Sequence, residues 1–264
     1  MNNPGGATAK IRELIPRVVA ALQNRGDVTE ANANPEMRPS SWIRDALREI
    51  TESLPFEELR QPNPPLVTIG PRLGVNGSNY AYLVSQFIAT GDDVTLMEDP
   101  VIFLSPIGAA TAALATSAAG AYSMDYLTPK AIQPLLFIPG GIPFKYTRFG
   151  NQFWFGTQPG TNYQVYLPYQ LRHKFNDENV GESDVCVPPS WHDIIGYAAA
   201  ERGAVALRWN EQATFLHELL YGDPKSALPD GRLGRPGLIE ARTLQQERDR
   251  RLSVIQVTPM VERY

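Results

Sequence analysis

The stretch that decides the fold is 187–200, which reads Val187-Pro188-Pro189-Ser190-Trp191-His192-Asp193-Ile194-Ile195-Gly196-Tyr197-Ala198-Ala199-Ala200. Ser190, with Asp193 three residues later, matches a capping box and predicts the start of a helix. Apolar residues continue at spacings of three and four as far as Leu220, and Gly222 followed by Pro224 predicts the end. A break near Asn210 divides this segment into two predicted helices.

Two further helices are predicted near the N-terminus. Apolar residues from Ile11 to Leu22 form one stripe, and Pro16 inside it predicts a kink or a second start. The next helix begins at Ser40 or Ser41, either of which can cap it, and ends before Pro55. Both helices show one apolar face, so each must pack against another element.

The sequence pattern changes after residue 61. Prolines accumulate there, and the spacing between apolar residues falls from about 3.6 towards two. A hairpin turn is predicted at 149–152 and a second turn at 158–161. Many short strands at close spacing favour a sandwich or a partly open barrel. The strand candidates are 66–69, 80–88, 94–97, 101–104, 132–138, 144–149, 151–155 and 163–169. The alanine-rich stretch 109–121 between them is interpreted as a loop or a short helix.

Composition excludes several classes of protein. The 264 residues are 43% hydrophobic, enough for a core, and a net charge of −4 argues against a dedicated duplex-DNA binder. One cysteine, Cys186, excludes an internal disulfide framework and a site with several thiolate ligands. No apolar run approaches the length that spans a bilayer, so we expect a soluble intracellular protein without membrane contact.

The sequence contains few signatures of catalytic chemistry. His217-Glu218 opens like a zinc-protease helix, but position 221 is Tyr, so the second ligand is missing. Cys186 has no evident histidine partner, and no phosphate-binding loop or nucleophile elbow is present. We therefore predict that the protein is not an enzyme and uses no cofactor or metal. A metal-dependent hydrolase using His192 and Asp193 stays open as an alternative.

Residues 126–176 contain no acidic side chain but carry five lysines and arginines and many aromatic residues. Strands of this composition can stack against single-stranded nucleic acid and neutralise its phosphates. The alternative function is thus a nucleic-acid- or glycan-binding β module using strands 144–169. The same aromatic residues can instead form the core of a sandwich, and the positive charge can meet an acidic partner.

The C-terminal stretch 232–264 has seven arginines against four acidic residues, a net charge of +3. Its apolar residues are too few to build a core of their own. A segment that cannot bury enough apolar surface stays extended or becomes ordered on a partner.

The order of these parts resembles the head-to-tail adaptor proteins of tailed bacteriophages, which sit beneath the portal ring. The resemblance rests on the Trp42-containing helix 41–50, the aromatic hairpin that ends in 163–169, and the entry 187–200 into a long helix. It spans roughly residues 10–225. The β insert is longer than that pattern requires, and so is the basic tail.

The resemblance implies an α+β fold with a helical bundle core formed by N- and C-terminal helices. An antiparallel β sandwich or barrel is inserted into this core, and an extended C-terminal arm follows it. The corresponding segments are 1–60, 61–187, 188–230 and 231–264.

The family also implies a function and a set of partners. The expected function is a structural virion protein at the neck, made in the host cytoplasm, that joins the portal to the tail. Its expected partners are further copies of itself in a ring of twelve, the portal protein, and a tail or nozzle protein. Packaged DNA is expected to pass through the ring without sequence-specific binding. A ring with a net negative charge binds DNA only weakly.

Arginine binds carboxylates with two parallel hydrogen bonds and loses its water more readily than lysine. The arginines of the C-terminal arm are therefore the predicted portal contacts. They are Arg232, Arg235, Arg242, Arg248, Arg250 and Arg251.

Overall fold

The computed structural model describes residues 9–103, 121–176, 178–227 and 233–256, without the side chains of 224–227, 233–236 and 248–256. The chain divides into two compact units. The first unit contains 1–50 and 173–264, and the second contains 51–172. The second unit is therefore an insertion in the first, and it begins and ends earlier in the chain than the predicted β region 61–187.

The first unit begins with two amphipathic helices, α1 (Ile11–Ala21) and α2 (Pro39–Ser53). Pro16 lies within α1 without ending it. The predicted apolar stripes are buried: Leu14 and Val18 on α1, and Ile43 and Leu47 on α2, are almost completely inaccessible to solvent. The periodicity of these segments predicted both helices.

The cap of α2 differs from the prediction. Glu30, in the preceding loop, accepts hydrogen bonds from the Ser40 backbone N–H and the Ser40 hydroxyl, each at 2.7 Å. The Ser41 hydroxyl donates instead to the Pro35 carbonyl. A carboxylate at a helix N-terminus accepts a hydrogen bond from a backbone N–H that has no partner within the helix, and it interacts favourably with the helix dipole. Glu30 therefore provides the cap that was predicted for Ser40 or Ser41.

We expect Glu30→Ala to lower the free energy of unfolding of the first unit by about 1 kcal/mol, the usual effect of losing an N-terminal cap. The measurement is a shift in the urea midpoint. Glu36→Ala, an exposed carboxyl in the same loop, is the control, and an equal shift in both variants would count against the capping role.

The stretch 187–200 leads into α4 (His192–Ala206), which follows a single 3₁₀ turn at Pro189–Trp191. The predicted capping box is wrong: no side chain caps this helix, and Asp193 forms an ion pair with Arg17 of α1. Most of α4 is buried, including the three alanines 198–200. A helix buried over most of its surface packs against other elements on several sides, and its few polar residues, such as Asp193 and Glu201, lie on the side that is left accessible.

The predicted break near Asn210 is confirmed, because α5 (Asn210–Tyr221) starts there. It ends at Gly222, whose φ of 88° is unfavourable for a residue with a side chain. Two short antiparallel strands follow, β11 (Gly222–Ala227) and β12 (Leu233–Pro236).

The C-terminal segment also differs from the prediction. Where an extended arm was expected over 231–264, a helix, α6 (Leu238–Gln256), follows β12. The Ala241 N–H donates to the Gly237 carbonyl four residues earlier, which is the helical pattern, and the Thr243 hydroxyl donates to the Ile239 carbonyl on the same helix. Low apolar content did not predict extended structure correctly, because Arg, Gln and Glu favour a helix even where few apolar residues are available for packing.

Ten strands lie in the described residues of the second unit, 51–103 and 121–172. They are β1 (Val67–Ile69), β2 (Ala81–Leu83), β3 (Val94–Met97), β4 (Val101–Phe103), β5 (Ala121–Ser123), β6 (Asp125–Tyr126), β7 (Lys145–Phe149), β8 (Gln152–Gly156), β9 (Tyr163–Tyr166) and β10 (Tyr169–Leu171). They form two four-stranded sheets, with strand orders β1-β9-β4-β5 and β2-β8-β7-β6, and a two-stranded sheet β10-β3. All described pairs are antiparallel except β6 with β7. The molecule is thus a mixed α+β protein.

Both larger sheets contribute to one core. Its buried residues are Ile69, Tyr82, Val84, Phe87, Ile102, Met124, Tyr146, Phe153, Phe155, Val165, Leu167 and Tyr169. The predicted hairpin turn at 149–152 is confirmed, since Phe149 pairs with Gln152 across it. The alanine-rich stretch 109–121 lies outside the described residues except for Ala121, which starts β5.

Two predicted strands are partly or wholly helical. The candidate 80–88 is a strand only over Ala81–Leu83 and continues as a 3₁₀ helix, Val84–Phe87. Residues 132–138 fall in α3 (Pro129–Ile132) and a following 3₁₀ helix, Gln133–Phe137. Ile132 and Leu136 are buried, and Ile132 lies against the backbone of Gly156 in β8. The segment therefore covers the second face of the β7–β8 hairpin, a role that an apolar run can fill as a helix or as a strand.

Candidate interaction surface

The predicted portal-contacting arginines lie in different parts of the structure. Arg232 lies outside the described residues, and Arg235 lies in β12. The remaining four belong to α6, and Arg242 has a described side chain. Arg242 donates to the Ser190 carbonyl at 3.1 Å and to the Gln245 side chain at 2.6 Å. This arginine therefore attaches the start of α6 to the first unit, a role that its sequence neighbours did not indicate.

The aromatic residues of 144–169 are mainly core residues. Tyr146, Phe153, Phe155, Tyr166 and Tyr169 are buried, so their ring faces are not open to a ligand. The structure thus favours the core interpretation of this region over the binding interpretation.

Acidic residues outside 126–176 neutralise part of the basic charge of that region. Lys145 forms an ion pair with Asp125, and Arg172 contacts Glu52 and Asp93, each at 2.9 Å. Exposed ion pairs contribute little stability, but they reduce the positive potential that a nucleic acid would encounter. The second unit therefore lacks much of the basic surface that its sequence suggested.

The structure places His192 and Asp193, the pair proposed for a hydrolase, in different surroundings. His192 is buried and Asp193 is held by Arg17. Among the residues that the structure describes, no group of three or more His, Cys, Asp and Glu side chains could hold a metal ion.

A cleft of about 510 Å³ in the first unit brings together ionisable side chains from three helices. Its lining residues are Glu49, Glu201, Arg202, Val205, Ala206, His217 and Tyr221. Sequence reasoning considered His217 only as a failed zinc ligand and missed the cleft, because Glu49 is separated from the other residues by more than 150 positions in the chain.

Two linked interactions organise this cleft. Glu49 forms an ion pair with Arg202 and accepts a 3.3 Å hydrogen bond from the Tyr221 hydroxyl. His217 Nδ1 lies 2.7 Å from Glu201 Oε1, and its ring packs on that of Tyr221 at 4.7 Å. Burial raises the pKa of Tyr221, and the charges of Glu49 and Glu201 raise it further, so the phenol stays protonated and can donate.

The remaining histidine of the first unit is a core residue. His173 is buried, accepts a 3.3 Å hydrogen bond from the Cys186 backbone N–H at Nε2, and packs on Phe175. Burial lowers its pKa, although the nearby Asp184 opposes this effect. The pKa of His192 is also lowered, mainly by burial. Both side chains are therefore held as neutral imidazoles.

These buried histidines predict acid sensitivity. Because their folded pKa lies below the unfolded value near 6.5, the unfolded state binds more protons as the pH falls below that value. Their contribution to stability is complete above about pH 6.5 and is lost as the pH falls towards the folded pKa. We expect a lower urea midpoint at pH 5.5 than at pH 7.5, and a smaller decrease in His173→Gln, which retains an acceptor. Equal decreases in both proteins would contradict this assignment.

Comparisons with known proteins do not identify a family. No protein-family model matches the chain, and no curated protein matches it significantly. Within the described part of the chain, no helix combines the length and the apolar character that crossing a membrane requires.

Proposed function

We propose that this chain is a structural subunit of the neck of a tailed bacteriophage virion, a head–tail adaptor. In this role it forms a homo-oligomeric ring under the portal and joins it to the tail or nozzle protein. Packaged DNA passes through the ring without sequence-specific binding.

The observation that carries the proposal is the order of parts. The first unit is assembled from the chain on both sides of the second unit, which is rich in strands. This arrangement is the one expected from the resemblance to phage adaptors, where a helical bundle core carries an inserted β module. The proposal thus depends on architecture and on the family pattern.

The described surfaces are compatible with a protein whose role is assembly. Large apolar side chains are exposed in both units: Phe137 is 73% exposed in the second, and Val205 and Phe215 are 62% and 58% exposed in the first. Exposed apolar side chains of this kind are available for burial between subunits. The net charge of −4 keeps attraction to DNA weak, as a channel requires.

The C-terminal arginines are the proposed contacts to the portal. A cluster of guanidinium groups fits a partner that presents carboxylates. Because Arg242 is already held by the Ser190 carbonyl, the portal contact is sought among the other members of the set, beginning with Arg232, Arg235 and Arg250.

The test is the mass of the complex with purified portal, measured by light scattering. We expect a stoichiometric ring on the portal for the unmodified chain, and loss of this complex in Arg232→Glu/Arg235→Glu/Arg250→Glu. The matched control reverses three exposed cations of the second unit, Arg72, Lys130 and Arg148, and should still bind. A virion reconstruction that places the chain away from the neck would refute the proposal, as would a failure of the unmodified chain to bind portal at low salt.

A further inference from the structure

The outward side of α5 is acidic and apolar. Glu211, Phe215, Glu218 and Tyr221 recur at spacings of three and four, and all four are exposed. The helix contains no lysine or arginine. We call these four residues, together with the lining of the cleft, the acidic face.

The acidic face has a net negative charge. Glu49 and residues 201–221 together hold four carboxylates against two guanidinium groups, those of Arg202 and Arg208. Arg202 is engaged by Glu49, and Glu201 is engaged by His217. Glu211 and Glu218 are therefore the carboxylates best placed to meet a cation from outside, beside the exposed ring of Phe215.

The end of α6 has the complementary composition. Residues 248–256 carry three arginines and one aspartate, followed by apolar residues. Arg248, Arg251, Leu252 and Ile255 are spaced by three, four and seven positions, which places them along one side of the helix. This side of α6 therefore carries both positively charged and apolar residues.

The start of α6 is fixed to its own unit. The backbone of Gly237 packs closely against the Leu220 carbonyl at the end of α5, and Arg242 reaches the Ser190 carbonyl. At 1.5 Å per residue, the helix continues for about 21 Å beyond Arg242 to residue 256. A helix attached at its base and continuing for this distance can present its end to a second molecule.

We propose that the end of α6 docks on the acidic face of a second copy of this chain. The positive charge of 248–251 complements Glu211 and Glu218 of the neighbour, and the apolar residues of 252–255 complement its exposed Phe215 and Val205. Burial of the apolar residues supplies most of the affinity, and the charge pairs set the orientation.

This contact joins two different surfaces, so it repeats head to tail and generates a ring when the rotation closes. The inference rests on the proposed adaptor function and names its self-assembly surface. It divides the C-terminal arginines into two groups: Arg248 and Arg251 contact the next copy, while Arg232, Arg235 and Arg250 stay available for the portal.

The test is complementation between charge-reversed proteins, followed by sedimentation at high protein concentration and low salt. We expect the unmodified chain to oligomerise, and both Glu211→Lys/Glu218→Lys and Arg248→Glu/Arg251→Glu to sediment as monomers. An equimolar mixture should recover the oligomer, because each reversed helix end then meets a reversed acidic face. Recovery in the mixture shows that the contact is between copies, since a contact within one chain cannot be restored in this way.

Controls separate this inference from the adaptor function. Glu36→Lys/Glu178→Lys makes the same charge change at exposed sites elsewhere in the first unit and should oligomerise normally. An unmodified chain that stays monomeric at its highest soluble concentration would overturn the inference, and so would variants that oligomerise normally or a mixture that stays monomeric. Portal capture by the same variants tests the adaptor function independently, because the arginines assigned to the portal are intact in them.

Discussion

Gly203→Val is expected to destabilise the first unit by about 3 kcal/mol, the upper part of the range for overpacked cores. A Cβ atom at this position of α4 would lie 2.6 Å from two ring carbons of Trp42 and 3.0 Å from the Leu22 side chain. The ring cannot move away easily, because it is buried and its Nε1 donates to the Glu36 carbonyl at 2.8 Å. Glycine is therefore needed where α4 meets α2.

The measurement is urea unfolding followed by tryptophan fluorescence, which reports mainly on the first unit because Trp42, Trp191 and Trp209 all lie in it. Gly203→Ala should also destabilise, even though alanine gains about 1 kcal/mol in helix propensity over glycine. Gly26→Val, at a loop position with no atom within 4 Å of its Cβ, is the control and should change stability by less than about 0.5 kcal/mol. A Gly203→Ala variant more stable than the unmodified chain would show that α2 and α4 are not in close contact.

Phe155→Ala is expected to lower the stability of the second unit by about 3–5 kcal/mol, the range for removing a buried aromatic side chain. Phe155 is fully buried, with ring centroids 5.6 Å from Tyr82 and 6.1 Å from Phe87. Removing the ring leaves a cavity between the two larger sheets that their surrounding aromatic residues can fill only in part.

The matched control is Phe149→Ala on the same hairpin. Phe149 is 56% exposed and stacks on Trp154 at 4.8 Å, so its loss should cost about 1 kcal/mol or less. Hydrogen exchange followed by mass spectrometry resolves the effect, since faster exchange should be confined to peptides from 51–172. Similar acceleration in both variants would contradict the assignment of Phe155 to the core and Phe149 to the surface.

Local pattern was sufficient for most elements. The helices α1, α4 and α5, and the hairpin of β7 with β8, are all encoded by apolar periodicity and by turn residues a few positions apart. The strand predicted at 132–138 is wrong because a short apolar run fits a strand or a helical turn equally well. The outcome depended on the space left above Gly156, which no local pattern contains.

The sequence predicted charged surfaces and their partners less well than it predicted buried apolar faces. Counting charges over 126–176 gave a basic patch, yet Lys145 and Arg172 are paired with acids that lie outside that window. In the same way, the cap of α2 comes from Glu30, ten residues before Ser40. Ionic and hydrogen-bonded partners are chosen by proximity in space, so a window of sequence cannot identify them.

By itself, the sequence determined the mixed α and β composition, the helices on both sides of a strand-rich region, and the break between α4 and α5. These depend on apolar spacing, which acts between residues close together in the chain. The tertiary structure decided the acidic face, the attachment of α6 through Arg242, and which aromatic residues are core and which are surface. Each of these requires side chains from distant segments to meet, because burial and charge pairing are properties of the folded arrangement.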